Sequence, residues 1–309
     1  MDEAIQSVLN QTFENFELII VDDCSPDDTD SVVQKYLGDK RISYYKNASN
    51  LGLSGNWNKA LKYAKGDYVK FLCSDDKFHP QLLEKFVVIM DQYPEVSLVS
   101  SYREEFGLAG VKNEPPFAHL QKGQKIIVES LKERNWIGEP TCVMFRKENL
   151  KFGEFNPQYI YYIDWDMWLR QLSIGDCYII PEILSYFRVH EKQVSKMVMK
   201  TFLNYFEVFK FYKNIRDNNP YKINFAQLEI DSLVKQKAIK CANAAIKLIP
   251  GLYRKENRVL FKEAIKIIQS EKVLFSSFVE ILKGFNRQIL NIFRRKNKYI
   301  QKSIASPPL

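Results

Sequence analysis

Two apolar runs in this sequence each lead into a pair of adjacent aspartates. They are the run 16–21 with Asp22 and Asp23, and the run 68–73 with Asp75 and Asp76. Apolar runs of this length are typical of buried strands, and ligands of parallel α/β sheets bind at the carboxyl edge. Four acids at one edge repel one another. We therefore expect a divalent cation, or a ligand rich in hydrogen-bond donors, at that edge.

Strand-like and helix-like patterns alternate through the first 100 residues. Residues 4–9, 29–36 and 53–64 have helical spacing, whereas 42–45 and 96–100 are typical of short strands. This order predicts an α/β fold with a mostly parallel, Rossmann-like sheet and helices on both faces.

The middle of the sequence is less regular. Residues 102–123 look like a loop-rich insertion, and 177–180 and 183–189 look like two separate strands. A helix is expected over 159–173. Beyond residue 195 the pattern is helical, so we expect one α/β domain over 1–195 and a helical extension over 196–309.

The positive charge of the chain is concentrated near its C-terminus. Residues 251–309 carry a net charge of +9, whereas the whole chain carries +8. Apolar residues recur there at spacings of three or four, as on one helix face, with basic residues between and after them. They are Phe275, Phe278, Leu282, Phe285, Ile289 and Ile292, with Lys283, Arg287, Arg294, Arg295, Lys296 and Lys298. The sequence leaves open whether this helix packs on the protein or lies on an anionic membrane surface.

Two classes of protein are disfavoured. The five cysteines are scattered without a C-x-x-C pair, so neither a zinc site nor a disulfide framework is indicated, and a reducing, cytoplasmic setting is expected. The basic tail is not accompanied by a recognisable nucleic-acid-binding motif, so we expect no nucleic acid as partner.

Seven short segments, in this order, make the sequence resemble family-2 glycosyltransferases of the GT-A fold. They cover 4–13, Glu-Leu-Ile-Ile-Val-Asp-Asp-Cys-Ser-Pro-Asp-Asp-Thr (17–29), Asn-Leu-Gly-Leu-Ser (50–54), Gly-Asp-Tyr-Val-Lys-Phe-Leu-Cys-Ser-Asp-Asp (66–76), Gly-Glu-Pro-Thr (138–141), Asp-Trp-Asp-Met-Trp-Leu-Arg (164–170) and Tyr-Phe-Arg-Val-His (186–190). The resemblance implies an inverting enzyme that uses Mn²⁺ or Mg²⁺. Its donor would be a nucleoside-diphosphate sugar, linked to UDP or dTDP, and its acceptor a glycan or lipid-linked glycan of the cell surface.

The resemblance also implies roles for individual residues. Asp76 and His190 would contact the metal, Asp75 the ribose or a metal-bound water, and Asp23 the nucleobase or ribose. Asp164 would be the general base. Glu139 and Trp168 would line the acceptor pocket.

Simpler interpretations of these residues remain open. Aspartates are common in turns, and a single histidine is often structural. Asp164 and Asp166 are two residues apart, so on a helix they point about 200° away from each other and cannot both face one atom. A nucleotide-sugar-binding module without catalysis, or a nucleotidyltransferase, would also place acids at a sheet edge.

Two departures from the family pattern are visible. The family begins with a strand and a Pro-x-Tyr-Asn-like loop before the helix that starts here at about Asp2, so we expect Met1 to be an internal methionine of a longer chain. Trp57 stands where many relatives carry an arginine.

Overall fold

The computed structural model describes residues 1–108 and 110–277. Their helices are α1 Asp2–Leu9, α2 Thr29–Gln34, α3 Gly52–Tyr63, α4 Leu82–Gln92, α5 Gly123–Lys132, α6 Ile163–Leu172, α7 Val194–Lys200, α8 Leu203–Asn218, α9 Ile230–Leu248 and α10 Lys255–Ser270. Their strands are β1 Leu18–Asp22, β2 Ile42–Lys46, β3 Tyr68–Lys70, β4 Lys77–Phe78, β5 Val96–Gly107, β6 Val111–Asn113, β7 His119–Gln121, β8 Val143–Arg146 and β9 Asp176–Val189.

The strands form two sheets. β1 and β2 pair in parallel, and a larger sheet has the order β3-β8-β5-β9-β4, with β6 on β5 and β7 on β9. Within the larger sheet, β5 and β9 run parallel, whereas every other described pair of strands is antiparallel. The α/β prediction is confirmed, but the sheet is mixed rather than mostly parallel.

The central strand β5 is covered on both faces. Its first six residues are all buried, as expected of a strand with a layer on each side. Helix α4 contributes Leu82, Phe86 and Met90 to a cluster that includes Val99 of β5. Helix α6 also packs on β5, and its last turn is fixed there by the hydrogen bond from Ser97 Oγ to the Gln171 carbonyl at 2.8 Å.

The smaller sheet has its own core. Ile5 of α1, Ile20 of β1, Val33 of α2 and Ile42 of β2 are buried against one another. This cluster fixes where β1 ends, and therefore where Asp22 and Asp23 lie.

The predicted insertion and the predicted strands of the middle segment take a different form. β5 continues to Gly107, and β6 and β7 fall within the segment 102–123 that we expected to be loop-rich. Residues 177–180 and 183–189 belong to one strand, β9, and a register shift lies opposite Pro181. Pro181 lacks an N–H for the ladder, so it is accommodated at an irregularity.

The described chain divides into two compact units. The first comprises residues 1–201 and 217–229, and the second comprises 202–216 together with the described residues from 230 onward. In the second unit α9 packs on α10. It buries a stripe with helical spacing that includes Ala238, Cys241, Ala242 and Ala245, and Cys241 Sγ donates to the Tyr205 carbonyl of α8.

The helical C-terminal region is confirmed as far as residue 277. Of the predicted apolar stripe, Phe275 is described and is exposed. The remaining stripe and basic residues, from Phe278 to Lys298, lie outside the described residues. No helix within the described part of the chain has the length and apolar character needed to cross a membrane.

Candidate active site

A histidine and an aspartate meet where β9 ends. His190 follows β9 directly, and Asp75 lies in the loop between β3 and β4. The pairing of Lys77 with Tyr186 brings these two segments side by side. His190 Nε2 lies 2.7 Å from Asp75 Oδ2, and the two side chains are 36% and 35% exposed. The pair therefore presents one nitrogen and one oxygen ligand close to solvent.

The neighbouring Asp76 is buried and hydrogen-bonded within the protein. Its Oδ1 accepts from the backbone N–H of Arg188 at 2.8 Å, and its Oδ2 accepts from the hydroxyl of Thr141. Burial raises the pKa of Asp76 to about 7, although both hydrogen bonds favour the ionised form. Asp76 is only 1% exposed, and both of its carboxylate oxygens are hydrogen-bonded to other segments of the protein. These contacts stabilise the conformation of its loop. This placement differs from the direct metal contact predicted from the sequence.

Asp23 fixes the loop that precedes α3. Its Oδ1 accepts from the side-chain amide of Asn47 at 2.8 Å and from the backbone N–H of Leu51 at 2.7 Å. Asn47 in turn donates to Asn56 Oδ1 at 3.0 Å. Asp23 is therefore half-buried at the end of the smaller sheet, tied to the Asn-Leu-Gly-Leu-Ser segment rather than to the Asp75 loop.

Asp164 lies in the first turn of α6. Its Oδ1 accepts from the backbone N–H of Trp165 at 2.7 Å. Burial raises the pKa of Asp164 to about 7, and the negative charge of Glu139 adds to this shift, whereas the positive charge of Arg103 opposes it. A carboxylate with a pKa near neutrality is suited to general-base chemistry.

Asp166 has a different environment from Asp164, as the helical spacing predicted. Its Oδ1 accepts from the hydroxyl of Tyr221 at 2.6 Å, and its Oδ2 accepts from Arg170 Nη2 at 2.8 Å. Both Asp166 and Tyr221 are buried. Asp166 therefore belongs to an internal network, as a buried hydrogen-bond acceptor for Tyr221 and Arg170.

Glu139 forms an ion pair with Arg103 of β5. Arg103 Nη2 donates to Glu139 Oε1 at 3.2 Å, and Arg103 Nε lies 2.5 Å from Oε2. The Glu139 side chain is 29% exposed, whereas the Arg103 side chain is 10% exposed. Glu139 thus retains access to solvent, and the ion pair with the buried Arg103 guanidinium fixes its position.

Trp168 has no exposed surface. Its Nε1 donates to the carbonyl of Gly138 at 3.1 Å, and its ring packs against Phe145 and Phe155. It therefore supports the segment that carries Glu139, rather than lining an acceptor pocket as the sequence predicted.

Sequence reasoning missed two residues of the site. Thr141 bonds Asp76, and Arg103 pairs with Glu139. Thr141 belongs to the quoted segment 138–141, which was a usable signal. Arg103 lies in the segment expected to be a loop, where nothing in the sequence distinguished it.

The described residues supply two potential metal ligands at one point rather than a complete cage. Among residues 1–108 and 110–277, no group of three or more histidine, cysteine, aspartate or glutamate side chains is arranged to hold a metal ion. Magnesium sites commonly use one or two carboxylates and complete the shell with water and phosphate oxygens. Imidazole nitrogen suits transition metals. The Asp75–His190 pair therefore fits a divalent ion that is shared with a phosphorylated ligand.

The sequence matches a known family over its first half. Residues 1–153 match the family described as "Glycosyl transferase family 2". The chain is 32% identical over 210 residues to an Escherichia coli protein named "UDP-Glc:alpha-D-GlcNAc-diphosphoundecaprenol beta-1,3-glucosyltransferase WfaP", an alignment that covers 67% of this chain and 79% of the relative. The chain belongs to glycosyltransferase family 2.

Solved structures of two proteins show the fold. S. aureus TarS, residues 1–349 in complex with UDP-GlcNAc, matches with a TM-score of 0.65 and 18% identity over 86% of this chain and 76% of the other. A longer TarS chain is matched over 40% of its length. The mannosyltransferase PcManGT from Pyrobaculum calidifontis, in complex with GDP-Man and Mn²⁺, matches with a TM-score of 0.52 and 16% identity over 88% of this chain and 82% of that one. The GT-A-like α/β fold that the sequence motifs implied is confirmed.

Proposed function

We propose that this family-2 glycosyltransferase is an inverting enzyme of cell-surface polysaccharide synthesis. It would transfer a sugar from a nucleoside-diphosphate donor to a hydroxyl of a glycan or lipid-linked acceptor. The observation that carries this proposal is Asp164, a half-buried carboxylate whose pKa is raised to about 7 beside Glu139. The names of relatives support it: WfaP, and the Bacillus subtilis protein named "Putative teichuronic acid biosynthesis glycosyltransferase TuaG", which is 30% identical.

Asp164 is the proposed general base. As the acceptor oxygen bonds to the anomeric carbon, its proton passes to the carboxylate of Asp164. The bond between the anomeric carbon and the diphosphate oxygen breaks, and its electron pair leaves with the nucleoside diphosphate. Attack from the face opposite the leaving group inverts the anomeric configuration.

The donor would bind between the loop of Asp23 and the loop of Asp75. Asp23 is assigned to the nucleobase or ribose of a UDP- or dTDP-linked sugar, since its loop connects directly to the 50–54 segment. The complex of TarS with UDP-GlcNAc is consistent with a uridine nucleotide.

A divalent ion, Mn²⁺ or Mg²⁺, is part of the proposal. Asp75 and His190 are assigned to hold it, because they present an oxygen and a nitrogen within 2.7 Å of each other. Asp76 keeps their loop in place through Arg188 and Thr141. When bound, the ion would stabilise negative charge on the diphosphate leaving group. The PcManGT complex, which contains Mn²⁺, supports the involvement of a divalent ion.

The acceptor would bind around Glu139, and Trp168 would support the segment that carries Glu139.

A lipid-linked acceptor would lie at the cytoplasmic membrane face. The basic residues from Lys283 to Lys298 are proposed to hold the protein there as a peripheral protein through anionic lipids. A second candidate, a nucleotide-sugar-binding module without catalysis, is favoured by none of the described contacts.

A transfer assay with metal dependence tests the proposal. The purified protein is incubated with UDP-, dTDP- and GDP-linked sugars, a lipid-linked or oligosaccharide acceptor, and Mn²⁺, Mg²⁺ or EDTA, and both nucleotide release and product anomer are measured. We expect an inverted product whose formation EDTA abolishes.

Asp75→Asn and His190→Gln should weaken Mn²⁺-dependent binding of the nucleoside diphosphate in calorimetry by at least about tenfold. Asp28→Asn, at an exposed carboxylate, is the matched control. A retained anomer would contradict the inverting mechanism. Donor binding without any transfer would favour the binding module, and unchanged metal-dependent binding in both variants would place the ion elsewhere.

A further inference from the structure

Lys70, the last residue of β3, directs its amine into the protein. The Lys70 ammonium donates to the carbonyls of Phe71 and Pro140, each at 3.2 Å, and to the carbonyl of Thr141. It also lies 4.5 Å from the centre of the Phe78 ring. A buried amine with several carbonyl acceptors is costly to place, and its hydrogen bonds must compensate for the lost water.

The carbonyls that Lys70 binds belong to the segment next to Glu139. Pro140 and Thr141 are buried and start the short 3₁₀ turn Pro140–Cys142, which leads directly into β8. The antiparallel pairing of Lys70 with Met144 brings the end of β3 to this turn. The Pro140 carbonyl also accepts from the backbone N–H of Val143, so Lys70 adds a side-chain donor that ties the turn to the end of β3.

Thr141 connects this turn to the donor side of the site. Its hydroxyl donates to Asp76 Oδ2, and its carbonyl accepts from Lys70 and, at 2.9 Å, from Ser185 Oγ of β9. Lys70 is therefore two contacts away from Asp76 and, through the peptide bond to Pro140, adjacent to Glu139.

We propose that Lys70 is a positioning residue that fixes the segment 139–141, and thereby sets Glu139 on the acceptor side against the loop of Asp75 on the donor side. This inference rests on the proposed function. Burial lowers the pKa of Lys70 to about 7, and the negative charge of the nearby Asp76 carboxylate opposes that shift. Even the neutral amine retains two N–H donors, so the contacts with Pro140 and Thr141 persist when the charge is lost.

The test substitutes Lys70→Met, which keeps the volume and removes every donor. Lys70→Gln keeps two N–H donors on a shorter chain, and Lys62→Met, at an exposed lysine of α3, is the matched control. The Kd for UDP in the presence of Mn²⁺ is measured by calorimetry. The kcat/KM for the sugar acceptor is measured at a saturating concentration of the nucleotide-sugar. Hydrogen exchange is followed in the peptide that spans 139–145.

We expect Lys70→Met to lower acceptor kcat/KM by roughly 100-fold, since a shift of about 1 Å in a positioned group is enough for such a loss. The Kd for UDP should change by less than about threefold. Exchange of the Cys142 amide, which donates to the Glu139 carbonyl at 2.8 Å, should accelerate. Lys70→Gln should recover part of both effects, and Lys62→Met should show neither.

Unchanged acceptor kinetics and unchanged hydrogen exchange in Lys70→Met would overturn the inference. A loss of UDP binding as large as the loss of acceptor kcat/KM would also overturn it, because it would indicate general loss of structure. If Lys70→Met does not fold, Lys70→Gln is compared with wild type by the same measurements. A wild-type protein that transfers no sugar would refute the proposed function instead, and the exchange measurement would then still decide whether Lys70 fixes the segment.

Discussion

The carboxylate of Asp164 should control the pH dependence of transfer. Its pKa, raised to about 7 by burial, means that the carboxylate is about one-tenth ionised at pH 6 and about nine-tenths ionised at pH 8. A general base acts in its ionised form, so kcat/KM, which reports the pKa of the free enzyme, should be lost as the pH falls through about 7. We expect kcat/KM for the acceptor to rise about tenfold between pH 6 and pH 8.

Substitution of Asp164 by asparagine separates catalysis from structure. Asp164→Asn keeps an oxygen that can accept from the Trp165 N–H but cannot take a proton. Loss of a positioned base typically lowers kcat by about 10²–10⁴-fold, and the remaining rate should no longer change with pH around 7. Donor binding should be unaffected, because no described contact joins Asp164 to Asp75 or Asp23.

The same substitution should increase stability above neutral pH. A carboxyl group whose pKa is raised on folding, here from 3.8 to about 7, binds its proton more tightly in the folded protein. Its ionisation therefore destabilises the fold progressively as pH rises through that interval. Asp164→Asn removes this cost, so its gain in unfolding free energy should be absent near pH 4 and reach at most about 4 kcal/mol at pH 8.

The assay combines pH–rate profiles with urea unfolding for wild type, Asp164→Asn and Asp166→Asn. Asp166→Asn is the comparison because its carboxylate is hydrogen-bonded to Tyr221 and Arg170. It should lose stability while its kcat/KM keeps the wild-type pH profile. A kcat of Asp164→Asn within tenfold of wild type, or a wild-type kcat/KM for the acceptor that is constant from pH 6 to pH 8, would refute the general-base assignment.

Two further predictions concern the internal network and the tail. Tyr221→Phe removes the 2.6 Å hydrogen bond to the buried Asp166 and should lower the unfolding free energy by about 1.5–3 kcal/mol, the usual range for a hydrogen bond to a charged group. The control Tyr253→Phe, on a side chain that is 73% exposed, should change the unfolding free energy by less than about 0.5 kcal/mol. An equal effect of both substitutions would contradict the network. The wild-type protein should sediment with anionic liposomes and be released by salt. Substitution of Arg294, Arg295, Lys296 and Lys298 by glutamine should abolish sedimentation and leave transfer to a water-soluble acceptor intact. A wild-type protein that does not bind these liposomes at low salt would refute the membrane role.

The sequence predicted best the elements whose pattern is local. The strand that ends at Asp22, the helix α3 and the helix that carries Asp164 were all placed within a few residues. Apolar periodicity and turn residues are properties of a short window, so no knowledge of the partner strand is needed.

Elements decided by distant partners were predicted less well. β3 ends at Lys70 rather than at Cys73 because its partner strand β8 is preceded by the turn Pro140–Cys142, which offers no further ladder. β5 extends to Gly107 through charged residues, because it pairs with β9 along its whole length. The antiparallel direction of β8 is likewise a property of chain topology, which no local window contains.

The same limit applies within the site, where adjacent identical residues have different roles. Asp75 and Asp76 are chemically equivalent in the sequence, and nothing near them indicates which one points inward. The distinction depends on the hydroxyl of Thr141 and the backbone N–H of Arg188, which approach only Asp76, and on His190, which approaches only Asp75. These partners are 65, 112 and 115 residues away along the chain. A motif therefore predicts that this loop carries the chemistry, whereas the division of labour between its two carboxylates is set by the segments that the fold brings beside it.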